Sequence, residues 1–180
     1  MLVILQLIVD TVAGVLGGVL LLRFWMQVTR VRPPASIGQF TFTLTDWLVR
    51  PLRRIVPGMG GYDWASLIGA FLVVLAASSI VLLAGGSGQH VLLYALFRIL
   101  NWIIYGFMGL LIIEVIFSWI NPQAPLAPFV RALTDPLLRP LRRVIPPLGG
   151  LDITVLVALI VLQIVQYLLR QAFGQALIVM

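Results

Sequence analysis

Long apolar runs separated by short polar stretches set the pattern of this chain. The runs are continuously apolar, not alternating. Residues 3–25, 64 to about 84, 91–120 and 153 to about 169 hold few polar side chains. Runs of this length predict helices that cross a hydrocarbon core of about 30 Å. A transmembrane β-barrel would instead need ~10-residue segments alternating apolar and polar positions. The third run would be ~45 Å long as one helix, longer than the core needs. The favoured reading puts 100–120 in the membrane and leaves 91–98 as a separate interfacial piece; the alternative is one tilted helix. Residues 85–89 read as a short turn. The first nine residues are apolar without a basic leader, and Asp10 then interrupts them. This predicts a retained span and not a secretory signal peptide.

The polar stretches reveal an internal repeat. Thr45-Asp46-Trp47-Leu48-Val49-Arg50-Pro51-Leu52-Arg53-Arg54 returns 89 residues later as Thr134-Asp135-Pro136-Leu137-Leu138-Arg139-Pro140-Leu141-Arg142-Arg143. From Phe40/Phe129 to Leu67/Leu156, 15 of 28 aligned pairs are identical. The expected organisation is two tandem units, 1–89 and 90–180, each a span, a basic loop and a span. In the second loop Thr134 or Asp135 suits a helix N-cap, with Pro136 at the first helical position. Leu137, Leu138, Leu141, Val144 and Ile145 then line one face, with Arg139, Arg142 and Arg143 mostly opposite. Pro140 should kink this short helix. The fold class is therefore all-α: about four transmembrane helices and two kinked amphipathic helices lying in the interface.

Composition supports the membrane assignment and charge orients it. The chain is 61% hydrophobic and 10% charged, against about 25% charged in soluble domains. All 12 basic residues are arginine, and nine of them fall between spans one and two or between spans three and four. The positive-inside bias then places both basic loops in the cytoplasm and both termini outside. Two units pointing the same way imply a pseudo-twofold axis along the membrane normal, a parallel repeat.

Candidate chemistry concentrates in charged groups. Arg50, Arg53, Arg54, Arg139, Arg142 and Arg143 suit anionic lipid headgroups at ~1 kcal/mol each, or an acidic face of a cytoplasmic or membrane protein; the plainer alternative is that they only fix topology. Nucleic acid is not an expected partner. Asp63 and Asp152 precede spans two and four and read as N-caps. Asp10, Arg23, Glu114, Gln163 and Gln166 lie within or near spans, where polar groups are functional candidates. Depth counting makes an Arg23–Glu114 pair feasible, and Asp10 with Gln163, Gln166 and Arg170 could line an outer vestibule. Interhelical hydrogen bonding is the plainer reading of these groups. Gly14, Gly18, Gly106 and Gly109 would allow helices to approach closely. There is no cysteine, and the single histidine, His90, stands in a loop without a partner. No catalytic, cofactor or metal site is expected.

Residues 134–152, Thr-Asp-Pro-Leu-Leu-Arg-Pro-Leu-Arg-Arg-Val-Ile-Pro-Pro-Leu-Gly-Gly-Leu-Asp, resemble the signature of the YggT (YlmG) family. The run from Leu20 to Gln27 and the segment Phe117-Ser118-Trp119-Ile120 extend the resemblance over the whole chain. Trp47 replaces the proline after Thr-Asp, and Thr154-Val155 stands where Ser-Pro is usual. The resemblance implies a small protein of the bacterial inner membrane, tied to cell division or envelope organisation and to osmotic stress, and in plastids to cytochrome-complex assembly. It brings no catalytic residues. The resulting expectation is a non-enzymatic membrane organiser or assembly factor; the alternative is a small ion or solute channel or transporter acting as a homo-oligomer.

Overall fold

The computed structural model describes residues 2–56, 58, 60–80, 87–145 and 152–179, with side chains described from 4 to 174. The end of the second apolar run, the Gly85-Gly86 turn, the Pro146-Pro147 stop and the Gly149-Gly150 turn lie outside them. Among the described residues six helices follow in order: α1 Leu2–Val28, α2 Ala35–Ile55, α3 Trp64–Ser78, α4 Gly88–Ile120, α5 Ala127–Val144 and α6 Ile153–Val179.

Among the described residues, α1, α4 and α6 are long and apolar enough to cross a membrane. At 27, 33 and 27 residues, each exceeds ~40 Å. α3 is apolar but has 15 residues, about 22 Å. The third apolar run is one unbroken helix, so the expected separate piece at 91–98 does not form. Its start is set by Ser87, whose hydroxyl accepts the His90 N–H. α6 likewise runs on past residue 169. Ile4, Leu7, Val12, Ile160, Ile164 and Leu168 remain exposed on the outside of α1 and α6, the surface a lipid environment would cover.

The amphipathic helices are longer than the N-cap reading allows. Thr45 and Thr134 sit in mid-helix, and Pro51, Pro136 and Pro140 lie inside. The inner face of α5 begins well upstream, with Ala127, Val130, Leu133, Thr134 and Leu138 buried. This is i, i+3, i+6, i+7, i+11 spacing, one helical stripe. Val144, placed on the apolar face by the sequence, is 80% exposed.

α1 packs most extensively on α3, and α4 on α6 and α3. α2 crosses the ends of α1 and α3; α5 crosses those of α4 and α6. Leu20, Val49, Ala70 and Val74 anchor one core cluster. Leu111, Leu138, Val155 and Ala158 anchor another. Between them Met26 packs on Phe129, Val130 and Leu133, and the Trp25 indole donates to the Leu133 carbonyl at 2.9 Å. The close approach of α1 to α4 is at Gly17, where an added Cβ would overlap the Trp102 ring; Gly18, Gly106 and Gly109 face open space. Of the glycines singled out by spacing, Gly14 would place an added Cβ 4.0 Å from the same ring, while the tightest approach falls at Gly17.

Candidate functional site: two ionic clusters beneath the amphipathic helices

Each amphipathic helix covers a charged group that projects from a long span. Arg23 of α1 is 6% exposed and Glu114 of α4 is 5% exposed. Each follows a fully buried leucine by three residues, Leu20 and Leu111. They do not pair with one another, contrary to the depth argument.

Arg23 turns under α2. Its Nη1 donates to the Thr45 hydroxyl at 2.6 Å and to Asp46 Oδ1 at 2.7 Å. Its Nε lies 3.6 Å from Asp63 Oδ2, and its guanidinium stacks 4.9 Å from the Phe42 ring centre, a cation–π contact. Thr45 passes its own proton to the Thr41 carbonyl at 2.6 Å. The Arg23 hydrogen bond holds Asp46 below the usual carboxylate range, against the upward pull of burial.

Arg53 closes this first cluster. It grips Asp63 through Nε at 3.1 Å and Nη2 at 2.5 Å, a fork-shaped charge-assisted pair. The intervening Gly60 and Gly61 have φ of 68° and 81°, which glycine adopts without a Cβ penalty. That turn brings Asp63 back to a residue ten positions earlier. Burial would raise the Asp63 carboxyl, but hydrogen bonds from Arg53 and Ser66 and the charges of Arg53 and Arg23 outweigh it and hold it low. Asp63 stands at the start of α3, yet its carboxylate accepts no backbone N–H there; Arg53 and the Ser66 hydroxyl occupy it instead.

The second cluster has the opposite charge at its centre. Glu114 Oε2 receives the Thr134 hydroxyl, and Glu114 Oε1 receives Arg142 Nη2 at 3.1 Å. Arg142 also binds Asp152 Oδ2, through Nε at 3.0 Å and Nη2 at 2.8 Å. It thus points inward, not away from the apolar face as its spacing suggested. Asp152 does accept the Thr154 N–H, at 3.1 Å. Burial tends to raise Asp152, but hydrogen bonds from Thr154 and Arg142 hold it low.

The six repeated arginines therefore divide by role. Arg53 and Arg142 are clamps at the surface, 48% and 39% exposed, that grip Asp63 and Asp152. Arg50 and Arg139 are largely exposed and reach back four residues to Asp46 and Asp135, each at 2.7 Å. Arg54 and Arg143 are exposed and have no carboxylate partner among the described residues.

The remaining intramembrane polar groups lie elsewhere. Asp10 pairs with Arg98 at 2.8 Å, and Arg98 also sits over Tyr94 and Trp102. Neither partnership was foreseen. Gln166 donates to Asn101 and Arg170 to Tyr105, while Gln163 is exposed. Gln166 and Arg170 thus bond to α4 and not to Asp10. His90 is bonded to the Ser87 hydroxyl at 2.7 Å. No group of three metal-ligating side chains occurs among the described residues.

The family model for CCB3/YggT matches residues 1–84 and 93–173, which include both ionic clusters. The chain belongs to the CCB3/YggT family. A YggT protein of Escherichia coli K12, described as uncharacterized, is 30% identical over 169 residues, covering 89% of this chain and 86% of that one. Uncharacterized proteins of Pseudomonas aeruginosa and Vibrio alginolyticus are 34% and 35% identical, covering 89% and 87% of this chain and 85% and 88% of their own lengths. No solved structure matches it. Membership of the CCB3/YggT family and three long apolar helices together make this a membrane protein.

Proposed function

We propose that the chain is a non-enzymatic organiser of the bacterial inner membrane, an assembly or stress-tolerance factor that works through its two amphipathic helices. α2 and α5 lie at the cytoplasmic interface and hold anionic headgroups or the acidic face of a protein partner. The observation that carries this reading is the division of the arginines. One arginine in each helix is consumed by its own fold, while Arg54 and Arg143 are exposed and uncommitted among the described residues. Topology alone would need no such division. Four spans, with α3 as the shortest, two parallel units at 1–89 and 90–180, and outward termini complete the proposal.

A channel or transporter would need its polar groups along one path. Asp10 lies 13 residues from Arg23 on α1, about 20 Å. Arg98 lies 16 residues from Glu114 on α4, about 24 Å. The charges thus form two separated layers, each internally paired, which favours packing over permeation.

Reporter fusions after Gly88 and after Arg143 are expected on opposite sides of the membrane. In vesicles containing anionic lipid, replacing both Arg54 and Arg143 by glutamine is expected to weaken lipid retention, with the difference shrinking at high salt. Unchanged retention, together with loss of ion flux in an Asp10→Asn variant, would overturn the organiser reading in favour of transport.

A further inference from the structure

The two clusters are built on the same plan but open differently to the outside. Beside the first lies a polar cleft of about 700 Å³, lined by Arg23, Gln39, Phe42, Thr43, Asp46, Arg50 and Arg53. Gln39, Thr43, Asp46, Arg50 and Arg53 recur at intervals of three or four residues, so they form one continuous face of α2. Arg23 lies against this face from the neighbouring span. Three guanidinium groups against one lining carboxylate give the cleft a positive excess. Asp63, behind the cleft, offsets part of that excess by holding Arg53 and lying 3.6 Å from the Arg23 Nε. Arg23 is nine-tenths buried, and its Nε donates no hydrogen bond among the described residues. Only its Nη1 does so, to Thr45 and Asp46. A guanidinium carries five N–H donors, and a buried donor without a partner is costly.

The second half differs at four of the positions that matter, Arg131 standing for Phe42 among them. By the repeat offset, Pro128 stands for Gln39 and Ala132 for Thr43. Glu114 takes the place of Arg23 beneath the threonine. Two neutral donors are lost there and the central charge is reversed, so Glu114 stands where the first half has a buried cation, although Arg131 adds an exposed one.

We propose that the cleft of Arg23, Gln39, Thr43, Arg50 and Arg53 binds one phosphate-bearing anion per chain, and that the second half does not. Arginines in this arrangement meet phosphate oxygens two at a time, which a point charge cannot do. The ligand chemistry is a phosphate monoanion or diester, supplied by a lipid headgroup or by soluble phosphate. This deepens the headgroup-binding reading above and rests on it, but it assigns the tight site to a different set of residues.

The full-length protein in nanodiscs of zwitterionic lipid, with and without phosphatidylglycerol, tests this by native mass spectrometry, which counts retained lipids. One tightly held phosphatidylglycerol is expected. Arg50→Gln, at an exposed position that the fold tolerates, is expected to weaken it about fivefold, and a Gln39→Ala/Thr43→Ala double variant should weaken it similarly. Arg139→Gln is expected to leave it unchanged. Inorganic phosphate added to the discs that contain phosphatidylglycerol distinguishes the sources: displacement of the retained lipid by millimolar phosphate assigns the site to free phosphate, and resistance assigns it to the headgroup. Equal losses from Arg50→Gln and Arg139→Gln would overturn the inference. So would a silent Arg50→Gln beside a weakened Arg54→Gln/Arg143→Gln variant, which would leave the organiser reading standing. Retention unaffected by any of these variants would end both.

Discussion

Arg23 and Glu114 hold corresponding places under α2 and α5 with opposite charges, and each is bound by the threonine of its own helix. Thr45 accepts from the arginine; Thr134 donates to the glutamate. A hydroxyl can do either. The two charges share no partner, so their losses should be independent. Alanine substitutions at both positions are expected to be additive to within about 0.5 kcal/mol in a double-mutant cycle. A coupling well above that, measured by thermal unfolding in detergent, would place the two side chains in contact.

Arg142 and Arg143 are adjacent but differently employed, which makes them a sensitive pair. Arg142→Ala leaves Glu114 and Asp152 without their shared counter-ion and is expected to cost about 1–3 kcal/mol. Arg143→Ala removes an exposed side chain and should stay within about 0.5 kcal/mol. Midpoints of chemical unfolding in mixed micelles would show the difference. Equal effects would mean that Arg142 is not the clamp.

The helix contact at Trp102 should discriminate between neighbouring glycines. Gly17→Ala would overlap the indole ring and is expected to destabilise by about 1–3 kcal/mol. Gly18→Ala meets open space, so it should be neutral or gain up to ~1 kcal/mol by reducing unfolded-chain entropy. A temperature scan of both variants decides this, and the reverse order would relocate the contact.

Acid should loosen the ends of the amphipathic helices before it affects the spans. Asp46, Asp63 and Asp152 are all held below the usual carboxylate range. Their unfolded counterparts titrate near pH ~3.9. A lowered folded value means the stabilisation is fully present above that pH and is lost as pH falls below it towards the folded values. Stability is therefore expected to be flat from neutral pH to about 5 and then to decline. Asp63→Asn should reduce stability at neutral pH and flatten the acid decline. A decline beginning above pH ~6 would point to other groups.

The spans were legible because continuous apolar runs permit few alternatives. The clusters were only half legible, and the reasons differ by residue. Depth along a helix can be counted from sequence, but the direction a side chain faces cannot, so Arg23 and Glu114 were matched by depth when each in fact turns to its own threonine. Thr134-Asp135-Pro136 imitates a helix start closely enough to hide the turns of α5 before it. The stripe of Ala127, Val130 and Leu133 upstream carried the contrary signal. The clamps were present in the text of the chain: an arginine and an aspartate ten residues apart, in both copies, with Gly-Gly between them. Asp10 and Arg98 left no such trace, since nothing local ties positions 88 residues apart.

Met26 of α1 packs against Phe129, Val130 and Leu133 of α5, and Trp25 bonds across to the same helix. The first half thus borrows a wall from the second. A chain severed between α3 and α4 would yield two fragments, each with an apolar flank shaped for the other. Co-expressed, such fragments should find one another in the bilayer; expressed singly, each would be an unfinished piece seeking a mate.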